Sequence, residues 1–144
     1  MSDRPVSVGT TAVPYTVTIH DGQHRWLGDT QPANGGADAG PDPESQVLGA
    51  LGACTAITLS MVATRKQWPL TAVHVHLHYT QRGAAGTAIT REIVLDGALD
   101  DDQRARLLEV ADKCPIHRLL TGEVRIDSQL QAASVGDKAT TLAG

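Results

Sequence analysis

The chain has 144 residues and a net charge of -4, with acidic and basic residues mixed along its length. This balance argues against nucleic-acid binding, which requires a basic face. Aromatic residues make up 3% of the chain, which also argues against stacking on single-stranded nucleic acid. The apolar fraction of 41% indicates a single folded domain over residues 1–144, with an ordered core at about 13–131 and a flexible tail at 132–144.

The N-terminal part of the sequence predicts a small β-structure followed by a loop. Residues 1–12 are small and polar, which fits either a mobile lead or a loose edge strand. The β-branched alternation at Tyr15–Ile19 predicts a strand, and Asp21-Gly22 predicts a tight turn into a second strand at His24–Leu27. Residues 30–42 are rich in Gly, Pro and Asp and are expected to form a loop.

A long helix is predicted from Pro43 to Lys66, since Asp42 can cap its first turn and Pro69 follows its end. The stretch Val47–Ala63 carries no charge, and its apolar residues lie all round the helix, so both sides are expected to be buried. A membrane span is the alternative, but 17 uncharged residues diluted by Gly, Thr and Ser are at the lower limit for one. We therefore expect a central buried helix, no membrane association and a homodimer whose partner subunit covers the helix.

The second half of the sequence continues the alternation of strands and helices. The pattern predicts, in chain order, strands at Val73–Tyr79 and Ile89–Leu95, a helix from about Asp100 to Pro115, a short turn at Ile116–Leu120 and a last strand at Val124–Leu130. The resulting order, β-β-α-β-β-α-β, indicates an α+β fold with a mostly antiparallel sheet.

The two cysteines stand in unlike settings, and no C-x-x-C zinc spacing occurs. The first residues, Met1–Pro5, contain no apolar run of the signal-peptide type, so we expect a cytoplasmic protein. In a reducing compartment such cysteines are more often reactive or inert than permanently bridged. Cys54, in the uncharged helix, is either a small buried hydrophobe or a reactive thiol, and reactivity would require a nearby cation.

Cys114 lies at the break after the charged helix and precedes Pro115, which can open a new helical turn. Free amide hydrogens at such a turn favour a thiolate, and His117 and Arg118 lie one turn away. The alternative is that Cys114 only packs under the preceding helix.

Several segments carry a resemblance to a known family: Gly40–Glu44, Leu48–Ala56, Lys66–Leu70, Lys113–Arg118 and Thr121-Gly122. In this order and separation they resemble the OsmC/Ohr family, which comprises osmotically inducible protein C and the organic hydroperoxide resistance proteins. The similarity covers about residues 15–130. It implies an intertwined α+β homodimer with a long central helix and with sites at the subunit interface.

The resemblance also implies cysteine-based reduction of peroxides, preferentially organic hydroperoxides. Cys54 would attack the peroxide and become a sulfenic acid, and Cys114 would condense with it to form a disulfide. An external thiol, such as a dithiol, would then reduce the disulfide, and no cofactor would be needed. The predicted partners are thus a second subunit, a small hydroperoxide and a thiol reductant.

The family pattern further includes a glutamate and an arginine that activate the peroxidatic thiolate. Glu44 matches the glutamate, but ten residues of helix rise separate it from Cys54 by roughly 15 Å, so it would act through an arginine or on the partner's site. The family's glycine pair before the arginine is missing, and Arg25 is the best substitute. The alternatives are a plain first-turn acid for Glu44 and a solvated strand residue for Arg25.

Two other functions remain open from the sequence: a non-catalytic protein that binds a small apolar ligand, and a thiol redox sensor. His74, His76 and His78 share one face of a strand, but neighbouring side chains there are ~6.6 Å apart, so the three cannot easily share one ion. A polar strand face is the preferred interpretation, and no metal site is predicted.

Overall fold

A computed structural model describes residues 3–132. Its elements, in chain order, are β1 (Ser7–Thr10), β2 (Val17–His20), β3 (Arg25–Gly28), a 3-10 turn (Pro32–Asn34), α1 (Pro43–Lys66), β4 (Leu70–Gln81), β5 (Ala88–Gly97), α2 (Asp101–Ala111) and α3 (Pro115–Thr121). All the strand pairs are antiparallel, which confirms the predicted α+β class. The chain divides into two compact units: unit 1 holds the described residues up to Gln46 and from Ile126 onward, and unit 2 is Val47–Arg125.

Unit 1 contains a three-stranded sheet with β2 between β1 and β3. The N-terminal segment thus includes an edge strand, which was one of its two predicted forms. The β2–β3 hairpin turns at Asp21-Gly22 as predicted, and the Asp21 carboxylate accepts the backbone N–H groups of Gln23 (2.9 Å) and His24 (2.6 Å). These hydrogen bonds, that of His24 foremost, hold the pKa of Asp21 well below its usual range. Gly22 supplies the positive φ, +90°, that the turn requires.

The predicted loop after β3 is organised by one buried carboxylate, that of Asp29. Its Oδ2 atom accepts the hydroxyl of Thr16 at 2.7 Å and the backbone N–H of Ala39 at 3.1 Å. Its Oδ1 atom accepts the N–H groups of Thr30 (2.7 Å) and Ala37 (3.4 Å). The bond from Thr16 and then those from the backbone lower the pKa of Asp29, against an opposing effect of burial.

Unit 2 contains α1, the β4–β5 hairpin, α2 and α3. The core cluster consists of Leu59, Val62, Leu107, Val110 and Ala111, so it joins α1 to α2. Side chains of β4 and β5 pack against this cluster. At Gly52, an added Cβ atom would lie 2.8 Å from Leu77 Cδ1, so the glycine permits the close approach of α1 to β4.

Within residues 3–132, only one side of α1 is buried. Leu51, Thr55 and Leu59 face inward, whereas the side chains of Ile57 and Met61 are 54% and 65% exposed. The expectation that both sides of the helix are buried is therefore not met by residues 3–132 of one chain. By length and composition alone α1 could cross a membrane, with a mean hydropathy of 1.8 over 18 residues, of which 28% are buried. Its buried side chains pack into the core of unit 2, as in a core helix of a globular fold.

The predicted strand at Val124–Leu130 is wrong. These residues form no strand, and none of the strands in residues 3–132 pairs with them. A strand requires a hydrogen-bonding neighbour, which the alternating sequence cannot supply by itself. The short turn predicted at Ile116–Leu120 is the helix α3. The predicted tail lies outside the described residues from residue 133 onward.

Candidate active site

Cys54 lies in the middle of α1 as a partly buried free thiol. Its Sγ atom is 3.9 Å from the hydroxyl oxygen of Thr58, one turn further along the helix. The next residue, Thr55, is fully buried, and its hydroxyl donates to the carbonyl oxygen of Leu51 at 2.7 Å. Gly52 brings this turn of α1 close to β4, so the position of Cys54 relative to the sheet is defined.

Cys114 is a buried free thiol at the N-cap position of α3. Pro115 opens the helix, as the sequence predicted, and the Cys114 Sγ atom accepts the backbone N–H of His117 at 3.3 Å. The carbonyl oxygen of Cys114 accepts the N–H of Arg118 at 3.1 Å. Sulfur thus replaces the usual oxygen acceptor of a helix cap.

Arg91 of β5 links the two cysteine-bearing segments. Its side chain is only 11% exposed, and its Nη1 donates to the hydroxyl oxygen of Thr55 at 3.1 Å. Its Nη2 lies 3.0 Å from Oδ1 of Asp112 and 3.1 Å from Nδ1 of His117. Because Thr55 follows Cys54 and His117 donates its amide to Cys114, one guanidinium is connected to a neighbour of each thiol.

Arg91 is not among the site residues predicted from the sequence, although the sequence holds a signal for it. In the predicted strand, Arg91 has the same parity as Ile89, Ile93 and Leu95, so it points toward the core side of the sheet. A charged residue on the apolar face of a strand requires partners, since burial of an unpaired charge is costly. This pattern indicates an inward-facing cation, but not which groups it contacts.

Glu44 and Arg25, the two predicted activating residues, belong to unit 1, whereas the cysteines belong to unit 2. Glu44 is an exposed acid in the first turn of α1. Arg25 is the exposed first residue of β3 and pairs in register with His20. Their roles toward Cys54 stay predictions.

The three histidines of β4 are exposed, as expected for a polar strand face. His74 Nε2 lies 3.3 Å from Oδ2 of Asp96 on β5, and His76 stands opposite Glu92. Among residues 3–132, no group of three or more His, Cys, Asp and Glu side chains is arranged to hold a metal ion.

Comparison with known protein families gives one assignment: the model of the OsmC-like protein family matches residues 35–129, which is more than half of the chain. This range includes both cysteine segments. No curated protein sequence matches the chain.

Solved structures that resemble the chain share its fold. An OsmC-like protein from Mycoplasma pneumoniae is 17% identical, with a TM-score of 0.73, over 84% of this chain and 89% of its own. An organic hydroperoxide resistance protein OsmC from Legionella pneumophila is 17% identical, with a TM-score of 0.59, over 82% and 88% of the two chains. The organic hydroperoxide resistance protein OhrB of Bacillus subtilis is 20% identical, with a TM-score of 0.56, over 82% and 91%. At these identities the likeness shows the fold alone.

Proposed function

Because the chain belongs to the OsmC-like protein family, we propose that it is a thiol peroxidase that reduces organic hydroperoxides. The observation that carries the proposal is that one compact unit holds both thiols and a partly buried cation between their segments. Several structural relatives are named organic hydroperoxide resistance proteins, which supports the same substrate class and a role in oxidative stress.

The proposed reaction begins with the thiolate of Cys54, which attacks the terminal oxygen of the hydroperoxide R–O–O–H. The O–O bond breaks, the alkoxide takes up a proton and leaves as an alcohol, and Cys54 becomes a sulfenic acid. The thiolate of Cys114 then attacks the Cys54 sulfur, hydroxide leaves and is protonated to water, and a disulfide forms. Two electrons from an external dithiol reduce this disulfide and return both thiols. The cycle uses no cofactor.

The two thiols suit these different steps. Cys54 is partly exposed, so a small hydroperoxide can approach its sulfur. Cys114 is buried, which protects it from direct oxidation, and the hydrogen bond from the N–H of His117 fixes the position of its sulfur. Glu44 and Arg25 are proposed to complete the activation of Cys54, with Glu44 acting on the site of a partner subunit because of its distance along the helix.

A homodimer is part of the proposal. The exposed apolar side chains of α1, including Ile57 and Met61, would be covered by a second subunit. We also propose a cytoplasmic location, where cellular reductants would keep both thiols reduced.

The test is a stoichiometric reaction of the reduced protein with cumene hydroperoxide. One equivalent of peroxide is expected to remove both thiols and to yield an intramolecular disulfide, and excess dithiothreitol should give turnover. Cys54→Ser should abolish peroxide consumption, whereas Cys114→Ser should consume one equivalent and leave a sulfenic acid that dimedone traps. Consumption by Cys54→Ser at the rate of the unmodified protein would refute the proposal.

A second candidate function, binding of a small apolar ligand, is favoured by one observation. A groove of about 530 Å³ runs along the exposed side of α1, and its lining includes Ile57, Met61, Arg65 and Val73. A ligand binder would take up an apolar fluorescent probe equally well in the unmodified protein and in Cys54→Ser, without any loss of thiols. That result, together with inert thiols, would replace the peroxidase proposal.

A further inference from the structure

We propose that Arg91 is a positioning residue of the thiol site, which holds α3, and with it Cys114, in a fixed orientation toward the turn of α1 that carries Cys54. This inference rests on the proposed peroxidase function and deepens it, because it concerns the second step, the closure of the disulfide.

The contacts of Arg91 come from three separate parts of the chain. Nη1 donates to Thr55 on α1, while Nη2 donates to Asp112, which directly follows α2, and to His117 on α3. The guanidinium is only 11% exposed, so solvent cannot readily replace these partners. A planar group with donors in fixed directions satisfies three partners only when the helices keep one mutual arrangement. Arg91 therefore fixes the geometry of α1 and α3 more strictly than apolar packing would.

The contact between Arg91 and His117 determines the tautomer of the neutral imidazole ring. An arginine side chain only donates hydrogen bonds, so the Nδ1 atom at 3.1 Å must be the acceptor. The proton of the neutral ring is then on Nε2. The backbone N–H of the same residue donates to the Cys114 sulfur at 3.3 Å. The ring of His117 is thus hydrogen-bonded to Arg91, and its backbone N–H is hydrogen-bonded to Cys114. The positions of Arg91 and Cys114 therefore depend on each other.

This connection matters for disulfide closure, because the two sulfurs must reach a bond length of ~2.05 Å with a defined torsion. Of the two cysteines, only Cys54 takes part in the attack on the peroxide, and this step does not require α3 to keep its position. Condensation requires Cys114 to arrive in the correct orientation. Loss of Arg91 should therefore slow the second step selectively.

The experiment compares Arg91→Met and Arg91→Lys with a matched control, Arg104→Met. Arg104 also ties a helix to β5, since it donates to the carbonyl oxygens of Leu95 (3.0 Å) and Gly97 (3.1 Å), and neither hydrogen bond involves a cysteine segment. The first measurement, on the reduced protein without peroxide, reads the His117 tautomer from nitrogen-15 NMR spectra. We expect the Nε2–H form in the unmodified protein and in Arg104→Met, and loss of that single form in Arg91→Met.

The second measurement follows disulfide formation after one equivalent of cumene hydroperoxide, with dimedone as a trap for the sulfenic acid. In both Arg91 variants the rate of disulfide closure relative to the rate of Cys54 oxidation is expected to fall about tenfold, so that dimedone captures more protein. Lysine should not rescue closure, because its single ammonium cannot serve three partners in one plane. Arg104→Met should close the disulfide as the unmodified protein does.

The inference is overturned if Arg91→Met retains both the His117 tautomer and the normal closure rate, or if Arg104→Met slows closure equally. Full rescue by Arg91→Lys would overturn it as well, because charge alone would then suffice. If Arg91→Met does not fold, Thr55→Val removes the contact on α1 and is expected to slow closure in the same direction, and normal closure in that variant would contradict the inference. If the protein consumes no peroxide at all, the proposed function is refuted instead. The comparison of the His117 tautomer between the unmodified protein and Arg91→Met then still tests whether Arg91 positions His117.

Discussion

Asp29 in unit 1 and Arg91 in unit 2 are both charged, largely buried and engaged in several hydrogen bonds. They differ in how far along the chain their hydrogen-bond partners lie. Asp29 is 3% exposed, and its partners lie 1 to 13 positions away, mostly as backbone N–H groups of one loop. Arg91 is 11% exposed, and its partners are side chains 21 to 36 positions away.

The difference follows from the chemistry of the two side chains. A carboxylate only accepts hydrogen bonds, and a loop offers many N–H donors that are not used in strands or helices, so Asp29 defines the path of a loop. A guanidinium only donates, and it needs oxygen or nitrogen acceptors, which side chains on separate helices provide. The carboxylate thus shapes one segment locally, whereas the guanidinium joins distant segments.

The two tryptophans allow each unit to be followed separately. Trp26 lies on β3 in unit 1, where its Nε1 donates to Gln46 at 3.2 Å, and Trp68 packs against the core cluster of unit 2. In Trp68→Phe the remaining fluorescence reports unit 1, and in Trp26→Phe it reports unit 2.

The largest effect is expected for Gly36→Ala, in the loop around Asp29. A Cβ atom there would lie 2.0 Å from the carbonyl oxygen of Thr30, and backbone cannot move aside as a flexible side chain can. We expect the free energy of unfolding to fall by about 3 kcal/mol, measured by urea titration with Trp26 as the reporter. The control is Gly49→Ala in open space on α1, which should stabilise unit 2 by up to about 1 kcal/mol. A fully tolerated Gly36→Ala would show that the loop does not depend on this close packing.

A smaller and pH-dependent effect is expected on acidification. The pKa of Asp29 is lowered in the folded state from its usual 3.8, chiefly by the hydroxyl of Thr16. The unfolded chain therefore takes up a proton first, so this contribution to stability is present above about pH 3.8 and is lost as the pH falls through the lower folded pKa. Asp21, whose pKa is also lowered, adds to the same trend in unit 1.

The Trp26 signal should accordingly change at a higher pH than the Trp68 signal, since Asp21 and Asp29, whose pKa values are lowered, lie in unit 1. Fluorescence measured from pH 6 to pH 2 in the two single-tryptophan backgrounds tests this order. Asp29→Asn serves as the matched variant and should flatten the acid transition of unit 1 while it lowers the melting temperature at pH 7. A Trp68 transition at a higher pH than the Trp26 transition would contradict the prediction that unit 1 is the more acid-sensitive unit.

The smallest effects concern the partners of Arg91. Thr55→Val removes a buried acceptor and should lower the stability of unit 2 by about 1 kcal/mol. Asp112 is 68% exposed, so Asp112→Asn should cost at most about 0.5 kcal/mol, as is usual for exposed ion pairs. Urea titrations read through Trp68 measure both. If Asp112→Asn were the more damaging change, the ion pair rather than the buried hydroxyl would hold the guanidinium.

The sequence predicts those parts of the fold that depend on neighbouring residues. The cap residues around Pro43 and Lys66 give the bounds of α1, and Asp21-Gly22 gives the first hairpin. The strand predicted at Val124–Leu130 is absent because pairing depends on a distant partner, which alternation does not reveal. The candidate site shows the same limit: the N-cap position of Cys114 is local and could be predicted, whereas the contacts of Arg91 depend on tertiary structure.

The difference in chain separation between the two groups of hydrogen bonds has a consequence for the order of folding events. Short loops close quickly, so the bonds to Asp29 can form early, before the chain is compact. The partners of Arg91 lie 21 to 36 positions away and meet only when α1, β5 and α3 dock, so we expect these bonds to form late in folding. Substitutions at Arg91 should therefore accelerate unfolding and leave the refolding rate nearly unchanged.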